Sequence, residues 1–173
     1  MFNNMKISPL KIEDTEELVK LVNSAYRGES SKQGWTTEAD LLDGIRADRN
    51  SIEAQLQAPG ATILLAKNEE GKMIGCVYLL LQGDHLYLGM LTVAPHLQAA
   101  GIGSRLLASA EKFGREKQCS SINMTVIDTR HELIDWYKRK GYISTGETKP
   151  FPNDPSFGIP RQPLQFIVLE KKL

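Results

Sequence analysis

Leu91-Thr92-Val93-Ala94-Pro95-His96-Leu97-Gln98-Ala99-Ala100-Gly101-Ile102-Gly103-Ser104-Arg105-Leu106-Leu107 carries the pattern that decides the fold. An apolar run of strand length meets a proline. A turn with two glycines follows. Apolar residues then recur at helical spacing, with Ile102, Leu106, Leu107, Ala110 and Phe113 inward and Arg105, Ser109, Lys112 and Glu116 outward. The first N–H groups of a helix have no internal acceptor, and the helix dipole puts partial positive charge there, so this turn can hold an anion. Gly101 and Gly103 lack a Cβ, which lets a phosphate approach the main chain. A Gly-x-Gly pair also serves as a plain strand-to-helix connection. No Gly-x-x-x-x-Gly-Lys-Ser/Thr run is present, and Leu106 stands where a dinucleotide fingerprint needs its third glycine.

The flanks extend the alternation of strand and helix. Upstream, Thr62–Lys67, Met73–Leu81 and Leu86–Val93 are apolar runs separated by the turns Asn68–Gly71 and Gln82–Asp84, which predicts an antiparallel meander. Before them, Met5–Pro9 reads as an edge strand. Asp14 or Thr15 caps a helix bearing Leu18, Leu21, Val22 and Ala25. Arg27–Thr37 reads as a loop. Thr37 is expected to cap a second helix with Leu41, Leu42 and Ile45 as its stripe, and a third helical piece is expected over Ser51–Gln57. Downstream, Ser121–Ile127 follows the glycine-opened helix and can lie parallel to Leu86–Val93. His131–Lys140 is helical, with Leu133, Trp136 and Tyr137 on one face and Gly141 as terminator. Tyr142–Thr148 and Leu164–Leu169 finish as strands around the proline-rich segment Lys149–Pro163, expected as a stiff surface loop. The fold class is α/β (α+β): a single domain over 1–173, with a mixed, mostly antiparallel sheet of about six to seven strands flanked by helices.

Composition narrows the function classes. Of 173 residues, 41% are hydrophobic and 24% charged, which supports one ordinary core rather than disorder. Lys+Arg and Asp+Glu both number 21, so the cation surplus of a general nucleic-acid binder is absent. Two cysteines, Cys76 and Cys119, exclude a disulfide scaffold and a Cys-rich zinc site. His85, His96 and His131 form no metal-ligand spacing. Met1–Leu10 has no signal-peptide core, and no stretch approaches the ~20 apolar residues of a membrane span. The expectation is a cytoplasmic protein, monomer or homodimer, with no membrane, nucleic-acid or metal partner.

Gln98-Ala99-Ala100-Gly101-Ile102-Gly103 resembles the Gln/Arg-x-x-Gly-x-Gly/Ala element of the GNAT superfamily of acyl-CoA N-acyltransferases. Tyr137-Lys138-Arg139-Lys140-Gly141-Tyr142 resembles that family's second element, Tyr-x-x-x-Gly-Phe/Tyr. The order of elements agrees along essentially the whole chain. The resemblance implies an N-acetyltransferase that uses acetyl-CoA as cosubstrate, with a small-molecule or peptide amine as acceptor. It places the pyrophosphate on the amides of Gln98, Ala99, Ala100, Gly101, Ile102, Gly103 and Ser104. It lays the pantetheine arm along Leu91, Thr92 and Val93, bonded to the main chain of Leu91 and Val93, where that strand and the next one part. The Val93 N–H then polarises the acyl carbonyl, and Tyr137 donates to the departing sulfur. Direct attack by the amine in a ternary complex needs no enzyme nucleophile. On the residues alone, Tyr137 also reads as a core aromatic.

The general base stays open. Many family members carry Glu four residues before the position of Leu91, where this chain has Tyr87. His85, Glu29 and a water relay are the other candidates. The run Lys138-Arg139-Lys140, with Arg130 upstream, reads as a solvated helix end or as a contact to the nucleotide phosphates. Family members often have Asn at Arg130. Cys76 and Cys119 read as buried, inert thiols. Two loops, Arg27–Trp35 and Phe151–Gly158, are expected to shape the acceptor site. The competing functions are a non-catalytic acyl-CoA sensor or scaffold of the same fold and, more weakly, a dinucleotide-binding domain.

Overall fold

The computed structural model describes residues 4–155 and 158–173. The chain opens with β1 (Lys6–Pro9) and then α1 (Thr15–Tyr26). The Thr15 hydroxyl donates to the Ile12 carbonyl at 2.8 Å, and Leu18, Leu21, Val22 and Ala25 are buried along one face of α1. Extended backbone at Arg27 ends it. The next segment holds the short helix α2 (Gly28–Ser31) and the two-residue strand β2 (Leu42–Asp43). Helix α3 (Arg49–Gln57) starts two residues ahead of the sequence expectation because Asp48 caps it. The Asp48 carboxylate accepts from the Ser51 N–H at 2.7 Å, and the Ser51 hydroxyl accepts from the Asp48 N–H at 3.0 Å.

The expected helix capped by Thr37 is absent. One turn forms, with the Leu42 N–H donating to the Glu38 carbonyl at 3.0 Å, and then Gly44 adopts φ +88°. Leu42 is 2% exposed whereas Ile45 is 53% exposed, so the apolar residues do not share a buried stripe. Long-range pairing replaces the helix: β2 lies antiparallel to β8 (Ile159–Pro160), which comes out of the proline-rich loop.

The meander is β3 (Ala61–Lys67), β4 (Met73–Gln82) and β5 (His85–Val93). Helix α4 (Ile102–Glu116) crosses over to β6 (Ser121–Ile127), which is parallel to β5, and α5 (His131–Arg139) follows. Strands β7 (Ile143–Pro150) and β9 (Gln165–Lys172) complete a seven-stranded sheet in the order β1-β3-β4-β5-β6-β9-β7. All its pairings other than β5–β6 are antiparallel.

Alternation along the strands feeds two cores. Ile63, Leu65 and Cys76 pack with Leu18, Val22 and Ile52 of α1 and α3. Leu64, Ala66 and Val77 pack with Ile102, Leu106, Leu107 and Ala110 of α4 and with Ile134 and Tyr137 of α5. The sheet is thus covered on both faces, and the functional features gather where its two halves separate.

Candidate active site

Strands β5 and β6 pair only over His85–Tyr87 and Ser121–Asn123, then diverge. The register between β4 and β5 slips between Cys76 and Tyr78, and Met90 takes φ +53° at this bulge. Beyond it, the Ala94 N–H donates to the Ile74 carbonyl at 2.9 Å. Ala94 and Ile74 are therefore a hydrogen-bonded pair of the antiparallel ladder. Val93, opposite Gly75, falls in the non-bonded pair, so its N–H and C=O turn away from β4 toward the gap. The carbonyls of Leu91 and Val93 meet side chains there: the Tyr26 hydroxyl donates to Leu91 at 2.7 Å and Gln98 Nε2 donates to Val93 at 3.2 Å. Gln98 lies so close to Gly34 that a Cβ at residue 34 would collide with it. The sequence gives no sign of the bulge, because methionine carries no signature of positive φ.

Past Pro95–Leu97 the chain turns through Ala99 at φ +67° and Gly101 at φ +87°. Gly101 caps α4 with no side-chain acceptor, and the first intrahelical bond runs from the Arg105 N–H to the Gly101 carbonyl at 3.1 Å. The amides of Ile102, Gly103 and Ser104 are left as outward donors. A Cβ on Gly101 would meet nothing within 4 Å, and one on Gly103 would sit 3.6 Å from Val93 and Trp136. The cradle is therefore open, and protein packing does not require Gly103. Unpartnered N–H groups, a helix N-terminus and free space before two glycines fit a diphosphate.

A cavity of about 110 Å³ lies at this turn, lined by Leu91, Thr92, Val93, Gln98, Ala99, Gly101, Gly103, Ser104 and Tyr137 among others. Ala100 is exposed in the turn and outside this lining, and the Ile102 side chain is 1% exposed in the core, so only its amide faces the opening. Thr92 is buried, and its hydroxyl donates to the Met90 carbonyl at 2.9 Å.

Tyr137 is 4% exposed, held edge-on between Trp136, at 5.0 Å between ring centroids, and Tyr142, at 5.8 Å. Gly141 at φ +97° ends the helix and sends Tyr142 back behind Tyr137. Burial pushes the Tyr137 phenol well above its usual range, so it is a protonated donor at neutral pH.

Tyr137 also lines a second cavity of about 320 Å³, which shares Tyr26, Leu91, Arg130 and Leu133 with the first. Its wall is built on a buried ion cluster. Glu38 Oε1 accepts from Arg27 Nε at 3.1 Å and lies 3.0 Å from Arg27 Nη2, while Oε2 accepts from Arg130 Nη1 at 2.9 Å. Arg130 Nη2 donates to the Thr36 hydroxyl at 2.7 Å, and Arg27 Nη1 donates to the Ile45 carbonyl at 3.2 Å. Burial lowers the Arg27 pKa and the Glu38 carboxylate opposes that. Tyr26 sits between Arg46 and Arg130, whose guanidinium carbons lie 5.3 and 5.8 Å from its ring, and burial raises its phenol to about 12. Tyr87, Phe151 and Phe166 add aromatic wall.

The base candidates separate. The Glu29 side chain is 91% exposed and bonded to Lys32 at 3.1 Å. His85 begins β5, with its Nδ1 3.6 Å from the Asp84 carboxylate. Neither lines a cavity, whereas Tyr87 lines the second. Lys138 and Arg139 are exposed at the end of α5, and Lys140 lies over Trp136 at 5.6 Å. Arg130 is bound into the Glu38 cluster. Of the two loops expected at the acceptor site, Arg27, Trp35, Phe151 and Pro152 do line the cavities; Ser156 and Phe157 lie outside the described residues. Tyr26, Glu38 and Arg46 were not singled out by sequence reading. Their only signal is charge or hydroxyl among helix and loop residues, which is common on any surface. Cys76 is fully buried, and burial raises its thiol to about 12. Among the described residues, no cluster of His, Cys, Asp and Glu could hold a metal, and no helix is long and apolar enough to cross a membrane.

Comparison with known proteins bears on this geometry. Residues 16–142 match the model of the acetyltransferase (GNAT) family. The chain is 29% identical over 65 residues to thialysine N-epsilon-acetyltransferase of Sus scrofa, covering 38% of each chain. It is 25% identical over 136 residues to mycothiol acetyltransferase of Clavibacter sepedonicus, covering 79% of this chain and 42% of that one. The match thus spans less than half the length of these curated relatives. In fold it is similar to the IAA acetyltransferase of Bacillus cereus, with a TM-score of 0.66, 17% identity, and coverage of 98% of this chain and 99% of that one.

Proposed function

Because the chain belongs to the acetyltransferase (GNAT) family, we propose that residues 1–173 form one N-acetyltransferase domain acting on a primary amine of a small molecule or peptide, with acetyl-CoA as donor. The observation that carries this reading is the junction of the two cavities. The first ends in unpartnered helix amides, the second opens onto the gap between β5 and β6, and Tyr137 lines both. Bound coenzyme supplies an acyl thioester. The amides of Ile102, Gly103 and Ser104 hold its diphosphate, and the main chain of Leu91 and Val93 lines the channel for its arm. The Val93 N–H donates to the acyl oxygen as negative charge gathers there. Tyr137 donates its proton toward the departing sulfur. The second cavity admits the amine from the opposite side and orients it. Water reached through that cavity accepts the amine proton, and the Tyr87 hydroxyl on its wall can pass that proton on only while releasing its own to water.

Calorimetry with acetyl-CoA, followed by release of free thiol across an amine panel, tests the proposal. Saturable binding with amine-dependent release is the expected result. Binding without release for any amine would make the chain a sensor or scaffold. Tyr137→Phe lowers kcat by about 100-fold while acetyl-CoA affinity stays within about twofold. Equal losses in both would remove its chemical role.

A further inference from the structure

The second cavity is electrostatically unbalanced. Its lining contains the guanidinium groups of Arg27, Arg46 and Arg130 and a single carboxylate, Glu38. Glu38 is already committed: one oxygen serves Arg27 and the other serves Arg130. Arg46 has no ion-pair partner among the described residues. It is half-buried, and its guanidinium rests on the face of Tyr26 at 5.3 Å. Its main chain is fixed, because the N–H groups of Arg46 and Ala47 both donate to Asn23 Oδ1, at 2.8 and 2.9 Å. Arg46 lines the second cavity and is not in the lining of the first. A guanidinium with no ion-pair partner on a rigid segment, in a cavity whose other two guanidinium groups share one carboxylate, is suited to bidentate capture of an oxyanion. Gln55 adds an amide to the same wall. A second cationic group on an acceptor would find no free carboxylate and would face three like charges, which disfavours diamines and polyamines. The rest of the lining is aromatic and aliphatic: Phe151 and Phe166 stack at 5.3 Å, and Tyr87 and Leu133 lie on the same wall. At about 320 Å³ the space is at the small end of ligand pockets.

Building on the acetyltransferase reading above, we propose that the acceptor is a small amine carrying an oxyanion and an apolar body, an amino acid in outline, with Arg46 as the residue that binds the oxyanion. The amine end lies at the shared wall of Leu91 and Tyr137, and the anionic end lies at Arg46.

The test uses the full chain with acetyl-CoA and three matched sets of acceptors, each supplied at equal neutral-amine concentration. The sets are L-phenylalanine, L-leucine and L-methionine; their carboxamides; and their aminophosphonate counterparts. The acids exceed the carboxamides by about ten- to hundredfold in kcat/KM, mainly through KM. Arg46→Gln brings the acid-to-carboxamide ratio close to one, a change that general loss of folded protein does not produce. Arg46→Lys retains part of the preference. The phosphonates distinguish a carboxylate site from a doubly charged one, and a preference for either anion over the carboxamide supports the assignment. Equal rates for acids and carboxamides, or a ratio unmoved by Arg46→Gln, would overturn this inference and leave acetyl transfer standing. Saturable acetyl-CoA binding with no thiol release from these sets, while another amine of the panel releases thiol, overturns this inference alone; no release from any amine overturns the inference and the acetyltransferase reading together.

Discussion

The small cavity is built around one continuous stretch, Leu91 to Ser104, and closed by α1, the segment after it and α5, whereas the large one draws its lining from α1, the segment after it, α3, β5, β6, α5, the loop before β8 and β9. The first gains its chemistry from what glycine and a helix start leave open. The second gains its chemistry from charges that other charges must hold in place. Main-chain recognition survives changes of side chain, so a shared group such as a diphosphate suits it. Side-chain recognition changes with each substitution, so it suits the part of a reaction that differs between relatives.

That contrast can be broken or sharpened by substitution. Glu38→Ala removes the one carboxylate between two buried guanidinium groups and is expected to cost about 3–5 kcal/mol in urea denaturation, because it leaves uncompensated buried charge. A loss under about 1 kcal/mol would mean that the cluster behaves as an exposed ion pair. Gly103→Ala probes the other cavity. Its Cβ meets only ordinary contacts at 3.6 Å, so stability holds or rises by up to about 1 kcal/mol, since alanine favours helix over glycine. The same methyl enters the ligand space and weakens acetyl-CoA binding by about tenfold in calorimetry, roughly 1.4 kcal/mol. Unaltered affinity would show that the diphosphate lies elsewhere.

The smallest expected effect is the absence of a change. Burial raises the phenols of both Tyr137 and Tyr26, the latter to about 12, so both stay protonated through pH 10. The pH–rate profile rises as the amine acceptor loses its proton and then stays level to about pH 10, with no fall from tyrosine ionisation. A descending limb centred near pH 10, the ordinary tyrosine value, would place Tyr137 in a wetter, more exposed setting.

What was legible in the sequence follows the same division. The meander, the glycine turn, the stripes of α1, α4 and α5 and the parallel return of β6 all rest on local periodicity and turn chemistry, and each appears within a residue or two of its expected bounds. Thr37 misled because its one helical turn is real, but Gly44 and the pairing of β2 with β8 end it. Arg130, weighed as a solvated helix end or a phosphate contact, is bound to Glu38, a residue 92 positions away, and lines both cavities. Glu29 is exposed beside Lys32 and His85 stands next to Asp84 at the start of β5, and neither lines a cavity.

By itself, the sequence determined the strand–turn–helix with its free amides, because a positive φ at glycine and the unmet donors of a first helical turn are properties of a few adjacent residues. Only the tertiary structure decided where β5 leaves β6, which carboxylate holds Arg27 and Arg130, and that Arg46 rests on an aromatic ring with no counterion among the described residues. Those outcomes depend on side chains that approach each other from distant segments, and no short-range pattern records that approach.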